Sequence, residues 1–429
     1  MHTFTKICAV LAILPLANLA SNAQQVFDLS AQMIARPEWR RGYQTLPPPG
    51  AEGAFFISQR TRLSAGFENE RVKFGLAVQD VRVWGDESQA ADVPSFGLHE
   101  GWAEITLGKK ASLKVGRQEL VYDDQRLFSN NDWLGQARSH DAAVLKIKNG
   151  KSTLHFGAAF NQTSAKLFGA SDPIDNYKML GWAWYNRKFM DEKIEMSFYG
   201  VTDGFATNPT LSEAKTYFRA TAGPTLNFVS GKMSGNATLF GQVGKDNFDR
   251  KITAYFASAY LDWAITGKLN TVLGYDYISG NAPFSTPAGE NHAFNTLYGD
   301  NHKFYGYMDY FLDVPKDTKG GGLQDVFLKV KLKASSRTQL ALDAHYFLLV
   351  TEVKSADGNL LDFPLGAELD FSATHKINEF AKAQFGFSLM RGTASLEGLN
   401  KVSGGSADQT GSWGYLMLVV NPTLFKLEK

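Results

Sequence analysis

Three observations predict an all-β chain closed into a single transmembrane antiparallel barrel of about 18 strands. Segments alternating apolar and polar residues run from end to end, and the connections between them alternate short and long. Past residue 23 there is no apolar run of about 18 residues from which to build a membrane helix. Aromatic residues make up 13% of the chain and glycine occurs 40 times, a composition suited to pleated, turn-rich structure. A soluble two-sheet protein of this length would show linkers between domains. Here the alternation is unbroken, so residues 24–429 are read as one domain.

Residues 1–23 read as a secretory leader that is removed. Lys6 supplies the positive start, Ile7 to Ala20 the apolar stretch, and Ser21-Asn22-Ala23 the small-residue cleavage site. The leader takes with it Cys8, the only cysteine, so the mature chain has neither disulfide nor thiol chemistry. Lys6 is one of 44 Lys and Arg; without it the basic residues equal the 43 Asp and Glu. That balance excludes a general electrostatic attraction for nucleic acid.

The first mature segment shows the pattern. Phe27, Leu29, Ala31, Met33 and Ala35 share one face, and Asp28, Ser30, Gln32, Arg36, Glu38 and Arg40 the other. In a barrel the first face meets lipid and the second lines water. The same division recurs with Phe55, Ile57, Leu63, Ala65 and Phe67 against Arg60, Arg62 and Glu68, and with Leu154, Phe156, Ala158 and Phe160 against Thr153, His155 and Asn161. It returns in Val326, Leu328, Val330 and Leu332 against Asp325, Lys329, Lys331 and Lys333, and in Leu365, Ala367, Leu369 and Phe371 against Glu368, Asp370, Ser372 and Thr374.

The connections set the strand count. Arg41 to Ala54, Gly85 to Phe96, Asp123 to Arg138, Gln162 to Asn176 and Asp203 to Lys215 are long, and short turns near Asn69, Lys109, Asn149, Asp191 and Gly231 separate them. Short turns belong to the periplasmic side of an outer-membrane barrel and long loops to the outside. The segment His302 to Asp313 has strand-like composition. Counting it as a stave would leave the two termini on opposite sides, so it is assigned to one large external excursion from Ser279 to Gly322. Eighteen strands remain.

The stretch from Val115 to Ile147 is organised differently. It starts and ends as strand, while Asp123 to Arg138 packs charges beside Phe128, Trp133, two Asn and a Gly. It is predicted to hang into the barrel mouth and narrow a water-filled lumen. The candidate constriction and solute-binding residues are Arg117, Asp124, Arg126, Trp133, Arg138 and Asp141, with Asp80, Arg82, Arg60 and Arg62 on the wall. Arg117 shares parity with Leu113 and Val115, so it points inward only if the strand changes phase near Gly116. Arg36, Arg40, Arg219 and the ladder Lys329, Lys331 and Lys333 offer a cationic track that grips carboxylates. Alternatively, they solvate the lumen and pair with acids such as Glu38, Asp325, Asp343, Glu368 and Asp370. Trp84, Trp102, Trp182, Trp184, Trp263, Trp413 and Tyr415 suit headgroup girdles, with sugar stacking as the other reading.

Catalytic constellations are lacking. Ser139, His140 and Asp141 are adjacent on a strand and so cannot align for proton relay. The histidines lack metal-ligand spacing, and no cofactor is expected.

QDVRVWG at Gln79 to Gly85, GRQ at Gly116 to Gln118, YDDQR at Tyr122 to Arg126, Trp133, and Arg138 with Asp141 together resemble the alginate export family of Gram-negative outer-membrane porins. HKFYGYMD at His302 to Asp309, GLQDVFLK at Gly322 to Lys329 and GAELD at Gly366 to Asp370 extend the resemblance over nearly the whole mature chain. It implies an eighteen-stranded barrel whose lumenal arginines attract carboxylates. Asp123 stands where the family commonly has Gly, and His140 where an aromatic is expected; an acid beside Arg126 would neutralise the constriction.

The chain is therefore expected in the cell outer membrane, with the lipid bilayer, anionic or polar saccharides such as an alginate-like polyuronate, and periplasmic export or uptake proteins as partners. It would conduct hydrophilic, anionic solutes without catalysis. A soluble or surface carbohydrate-binding β-protein and an outer-membrane barrel enzyme are the alternatives.

Overall fold

The computed structural model describes residues 24–428 apart from 92, 94, 170–175, 207–214 and 400–403. The expected leader lies outside the described residues. The strands are β1 (Val26–Arg41), β2 (Ala54–Glu68), β3 (Val72–Val83), β4 (Gly97–Gly108), β5 (Ala111–Gln118), β6 (His140–Asn149), β7 (Ser152–Phe160), β8 (Met179–Phe189) and β9 (Ile194–Ala206). They continue as β10 (Thr216–Ser230), β11 (Met233–Lys245), β12 (Lys251–Ala264), β13 (Leu269–Ile278), β14 (Leu323–Lys333), β15 (Thr338–Leu348), β16 (Pro364–Lys376) and β17 (Ala381–Gly392). The last stave, β18, comes in two pieces, Thr410–Val420 and Thr423–Glu428, and both pair antiparallel with β1. Each strand pairs antiparallel with its neighbour in sequence, and β18 closes on β1, which makes an eighteen-stranded barrel.

Closure satisfies every edge, which hydrocarbon demands because it offers backbone amides no alternative partner. No described helix is long and apolar enough to cross a membrane. The outward set is greasy and uncovered: Phe55 is 68% exposed, Leu273 59% and Leu239 55%. Large apolar side chains left bare in this way have lipid as their solvent. The long connections fall where the alternation places them, and Ser279 to Gly322 forms one excursion between β13 and β14. Its HKFYGYMDYFLD stretch is not a stave; it starts with a single helical turn, and Tyr305, Met308, Tyr310 and Phe311 are buried inside the barrel.

Two local departures from alternation appear. Opposite Ala77 and Val78 the β3–β4 register slips, leaving His99 as an extra residue. At the start of β16 the register shifts beside Gly366, whose φ is +144°, and Leu365 turns inward to full burial instead of meeting lipid; Leu369 keeps its outward place.

The inner wall carries aromatic rings that the girdle expectation placed outside. Trp102, Trp182 and Tyr415 each lie flat over the glycine opposite them on the next strand, Gly75, Gly157 and Gly386. A Cβ built on Gly157 would stand 2.0 Å from the Trp182 ring, so only glycine admits the indole there. Of the seven residues assigned to girdles, Trp84 and Trp263 are exposed on the outside, joined by Trp39.

Candidate functional site

The 119–139 loop leaves β5 and folds into the lumen. Its backbone turns sharply, with Asp123, Gln125, Asn131 and Ala137 at positive φ. Asp123, at φ +46°, occupies the position where the resemblance leads one to expect Gly, and Asp tolerates that left-handed conformation better than most residues. The loop joins the 279–322 excursion through a short parallel bridge between Phe128 and Tyr298. Ser129 N donates to Tyr298 O (3.0 Å), Tyr298 N to Leu127 O (3.0 Å) and Asp300 N to Gln125 O (3.1 Å). The two insertions therefore form one body inside the barrel. Leu127, Phe128 and Tyr122 of the loop join Trp182, Tyr199, Phe240 and Phe256 of the wall in one buried apolar cluster.

Charged groups fix this body to the wall. Arg126, 5% exposed, grips both carboxylate oxygens of Asp276 on β13 and also reaches Ser258 Oγ (3.1 Å) and Tyr305 Oη (3.2 Å). Its guanidinium lies 3.6 Å from the Phe304 ring centroid. Burial works against the charge, but Asp276, Tyr305 and Asp124 outweigh it and hold the Arg126 pKa above its ordinary value. Asp124 accepts from Arg126 Nε at 3.4 Å. Asp123 turns away from Arg126: Trp184 Nε1 (3.1 Å) and Ser197 Oγ (2.7 Å) donate to it. Burial pushes its carboxyl above the usual range. Arg138 donates to the carbonyls of Tyr298 and Gly299, and burial lowers its pKa.

The excursion docks on wall acids. Met308 N donates to Glu368 Oε1 (2.7 Å), Tyr307 N to Asp370 (3.4 Å), Tyr307 Oη to Asp343 (3.4 Å) and Tyr298 Oη to Asp203 (2.9 Å). Glu368, Asp370 and Asp343, read from sequence as partners of lumenal cations, and Asp203, which was not, all accept from the inserted loops. Lys329 pairs with Asp343 and Arg219 with Asp203.

At the tip of the 119–139 loop, Trp133 has both faces covered. His302 stacks on one at 4.3 Å between centroids, and the Arg36 guanidinium sits 4.0 Å from the ring centroid. Trp133 is therefore a post and offers no free face to a sugar. Beyond it lies a cavity of about 670 Å³ bounded by β1, β2, β3 and β18, with Arg36, Arg40, Arg60, Glu38 and Asp132 among its lining. Glu38, 1% exposed, accepts from Arg36 (2.8 Å), Arg40 (2.7 Å) and Trp413 Nε1 (3.1 Å). Arg60 pairs with Asp132 (2.8 Å) and donates to Gln32 Oε1 (2.5 Å). Arg62 donates to Gln79 Oε1 (2.9 Å) and lies 3.7 Å from Glu119.

Four of the sequence-predicted residues have outward strand phase. Arg117 and Asp141 are register partners on β5 and β6, joined by a 3.0 Å ion pair, and they line a separate cavity of about 340 Å³ together with Arg138 and Tyr298. Their neighbours Gln118, His140 and Ala142 are buried inside, so the strand does not change phase at Gly116. Asp80 and Arg82, paired at 2.6 Å, share the register of Thr61 and Gln59, whereas the lumenal Arg60 and Arg62 face Val81 and Gln79; Arg82 nevertheless reaches the lining of the cavity beside Trp133. Both outward pairs lie near the external rim, where strand ends leave hydrocarbon and polarity stops marking the inside. Conversely, Glu38, Asp132, Asp276 and His302 belong to the lumenal network but were not singled out as site residues. The phase of Glu38 in the first strand was the available signal. Among the described residues, no group of three or more His, Cys, Asp or Glu is placed to hold a metal ion.

Among solved structures, the chain resembles the outer membrane protein OpdK from Pseudomonas aeruginosa (10% identity, 92% of this chain and 99% of that one, TM-score 0.59). It also resembles OpdO of the same organism (15% identity, 93% and 98%, TM-score 0.58) and the structure of OpdK with vanillate (10% identity, 92% and 99%, TM-score 0.57). At such identities the likeness concerns fold. No curated protein matches the sequence. The alginate export model matches residues 55–353, which hold β2 to β15, the lumenal loop, the excursion and most of the anchoring residues. On that match over a closed eighteen-stranded barrel, the chain belongs to the alginate export family of outer-membrane channel proteins.

Proposed function

We propose that this barrel is a passive channel for carboxylated sugars or other anionic, hydrophilic solutes, with the cavity beside Trp133 as its selective passage. The supporting observation is the composition of that cavity: Arg36, Arg40, Arg60, Arg82 and Lys382 line it together with three carboxylates, Glu38, Asp86 and Asp132. Arg36 and Arg40 share the single Glu38, and neither Arg36 Nη2 nor Arg40 Nη1 donates to another described residue. Two guanidinium edges thus remain for a passing carboxylate, held by neighbours that fix their geometry. Such sites admit an anion and also release it, because Glu38 already offsets part of the charge. OpdK, similar in fold, has been solved with vanillate, a small carboxylate.

Planar-bilayer recording in a KCl gradient tests this reading. The wild type is expected to prefer chloride over potassium, and Arg36→Ala with Arg40→Ala to reduce that preference severalfold while conductance persists. A pore that prefers cations, or whose reversal potential ignores both substitutions, overturns it.

A further inference from the structure

Resting on that reading, we infer a second anion-binding site in the lumen at the periplasmic end, which takes up the carboxylated chain before it reaches Trp133 and makes the channel load preferentially from that side. The turns between β14 and β15 and between β16 and β17 surround a cavity of about 520 Å³ lined by Lys333, Arg337, Lys376 and Lys382, with Glu379 as its one acid. Among the described residues, none of these four cations forms an ion pair. Lys376 and Lys382 are direct register partners, so two like charges face each other across adjacent strands. That arrangement opposes folding unless something separates or neutralises the charges. Elsewhere in the lumen, cations such as Lys329, Arg126 and Arg219 have an acid in contact. Ser335, Thr338, Gln339, Thr374 and Asn378 add hydroxyls and amides suited to sugar oxygens.

The site adjoins the selective passage. Lys382, Val419 and Asn421 line both cavities. A chain of carboxylated sugars held at the turns therefore lies at the start of a path along β17 and β18 to Arg36 and Arg40. A single small anion would gain little from four spread cations, whereas a polymer with one carboxylate per sugar can engage several at once.

Bilayer recordings with a linear tri-galacturonate added to one chamber at a time test the inference, with maltotriose as the neutral control. Orientation is marked by Asp357→Cys on an external loop, biotinylated and capped with streptavidin. The wild type is expected to be blocked from the periplasmic chamber at about tenfold lower tri-galacturonate concentration than from the other, with no effect of maltotriose. Lys333→Gln with Lys376→Gln, both confined to the periplasmic cavity, should abolish that difference and leave the external block and the chloride preference in place. Equal block from both sides in the wild type, or an asymmetry that survives the double substitution, overturns the site while the anion-selective channel stands. A wild type without chloride preference in the same bilayers overturns the channel reading, and this inference with it.

Discussion

Arg126 shows how a cation can sit inside a water-filled barrel and still be unavailable to whatever passes. Both its edges are taken by Asp276, Ser258 and Tyr305, and a ring covers its face. Removing one member of such a buried pair strands the other, at about 3–5 kcal/mol, whereas replacing both by apolar groups is often nearly neutral. Arg126→Leu should therefore lower the urea midpoint of the heat-modifiable band markedly, and Arg126→Leu with Asp276→Leu should recover most of the loss. An unchanged midpoint in the single variant would mean that the pair is not buried. Arg117 provides the contrast: facing outward beside Asp141, it should be replaceable by Ala with no change in reversal potential. Asp123 adds a pH term. Burial raises its folded pKa, so its contribution to stability is full below the unfolded carboxylate value of about 4 and is lost as pH rises through the higher folded value. Asp123→Asn should flatten that part of the pH–stability curve measured by tryptophan fluorescence.

At the scale of elements, the alternating short and long connections could be read because outer-membrane barrels treat their two ends differently, and the excursion of 279–322 followed from the same parity. The direction of individual side chains was harder to read. Parity works across the hydrocarbon, where an outward charge is expensive, and fails at the rim, where Asp80, Arg82, Arg117 and Asp141 leave it. The inward aromatics were misread for another reason. Trp182 shares its phase with the buried Leu180, but its fit depends on Gly157 of the neighbouring strand, a long-range pairing that one segment does not display. Nor does the local sequence say that Arg126 will meet Asp276. The lumenal body follows from such long-range contacts and should be separable into its parts. Replacing residues 124–137 by a short Gly-Ser link removes Trp133 but leaves the excursion on Glu368, Asp370, Asp343 and Asp203. Single-channel conductance should rise severalfold and chloride preference fall, with the barrel still folded on a detergent gel. Unchanged conductance would place the narrowest point elsewhere.

For the whole molecule, everything depends on closure, and closure is completed by very few residues. The first piece of β18 pairs with β1 from Met33 to Arg41, and the second, Thr423–Glu428, covers Val26 to Ser30. Within the second piece the register slips between Leu29 and Ser30, and between the two pieces Ala31 N donates to Pro422 O at 3.0 Å. Without the second piece, the start of β1 would present unpaired amides and carbonyls at the periplasmic edge of the bilayer, each costing several kcal/mol in hydrocarbon. Ending the chain at Pro422 should therefore abolish the compact, heat-modifiable form. Phe425→Ala, which keeps the backbone and removes only the ring that packs 6.0 Å from Phe27, should retain it with a lowered midpoint. The comparison separates the two contributions to the seam. If the truncated chain inserts as well as the full one, hydrogen bonding along this seam is not what holds the barrel shut.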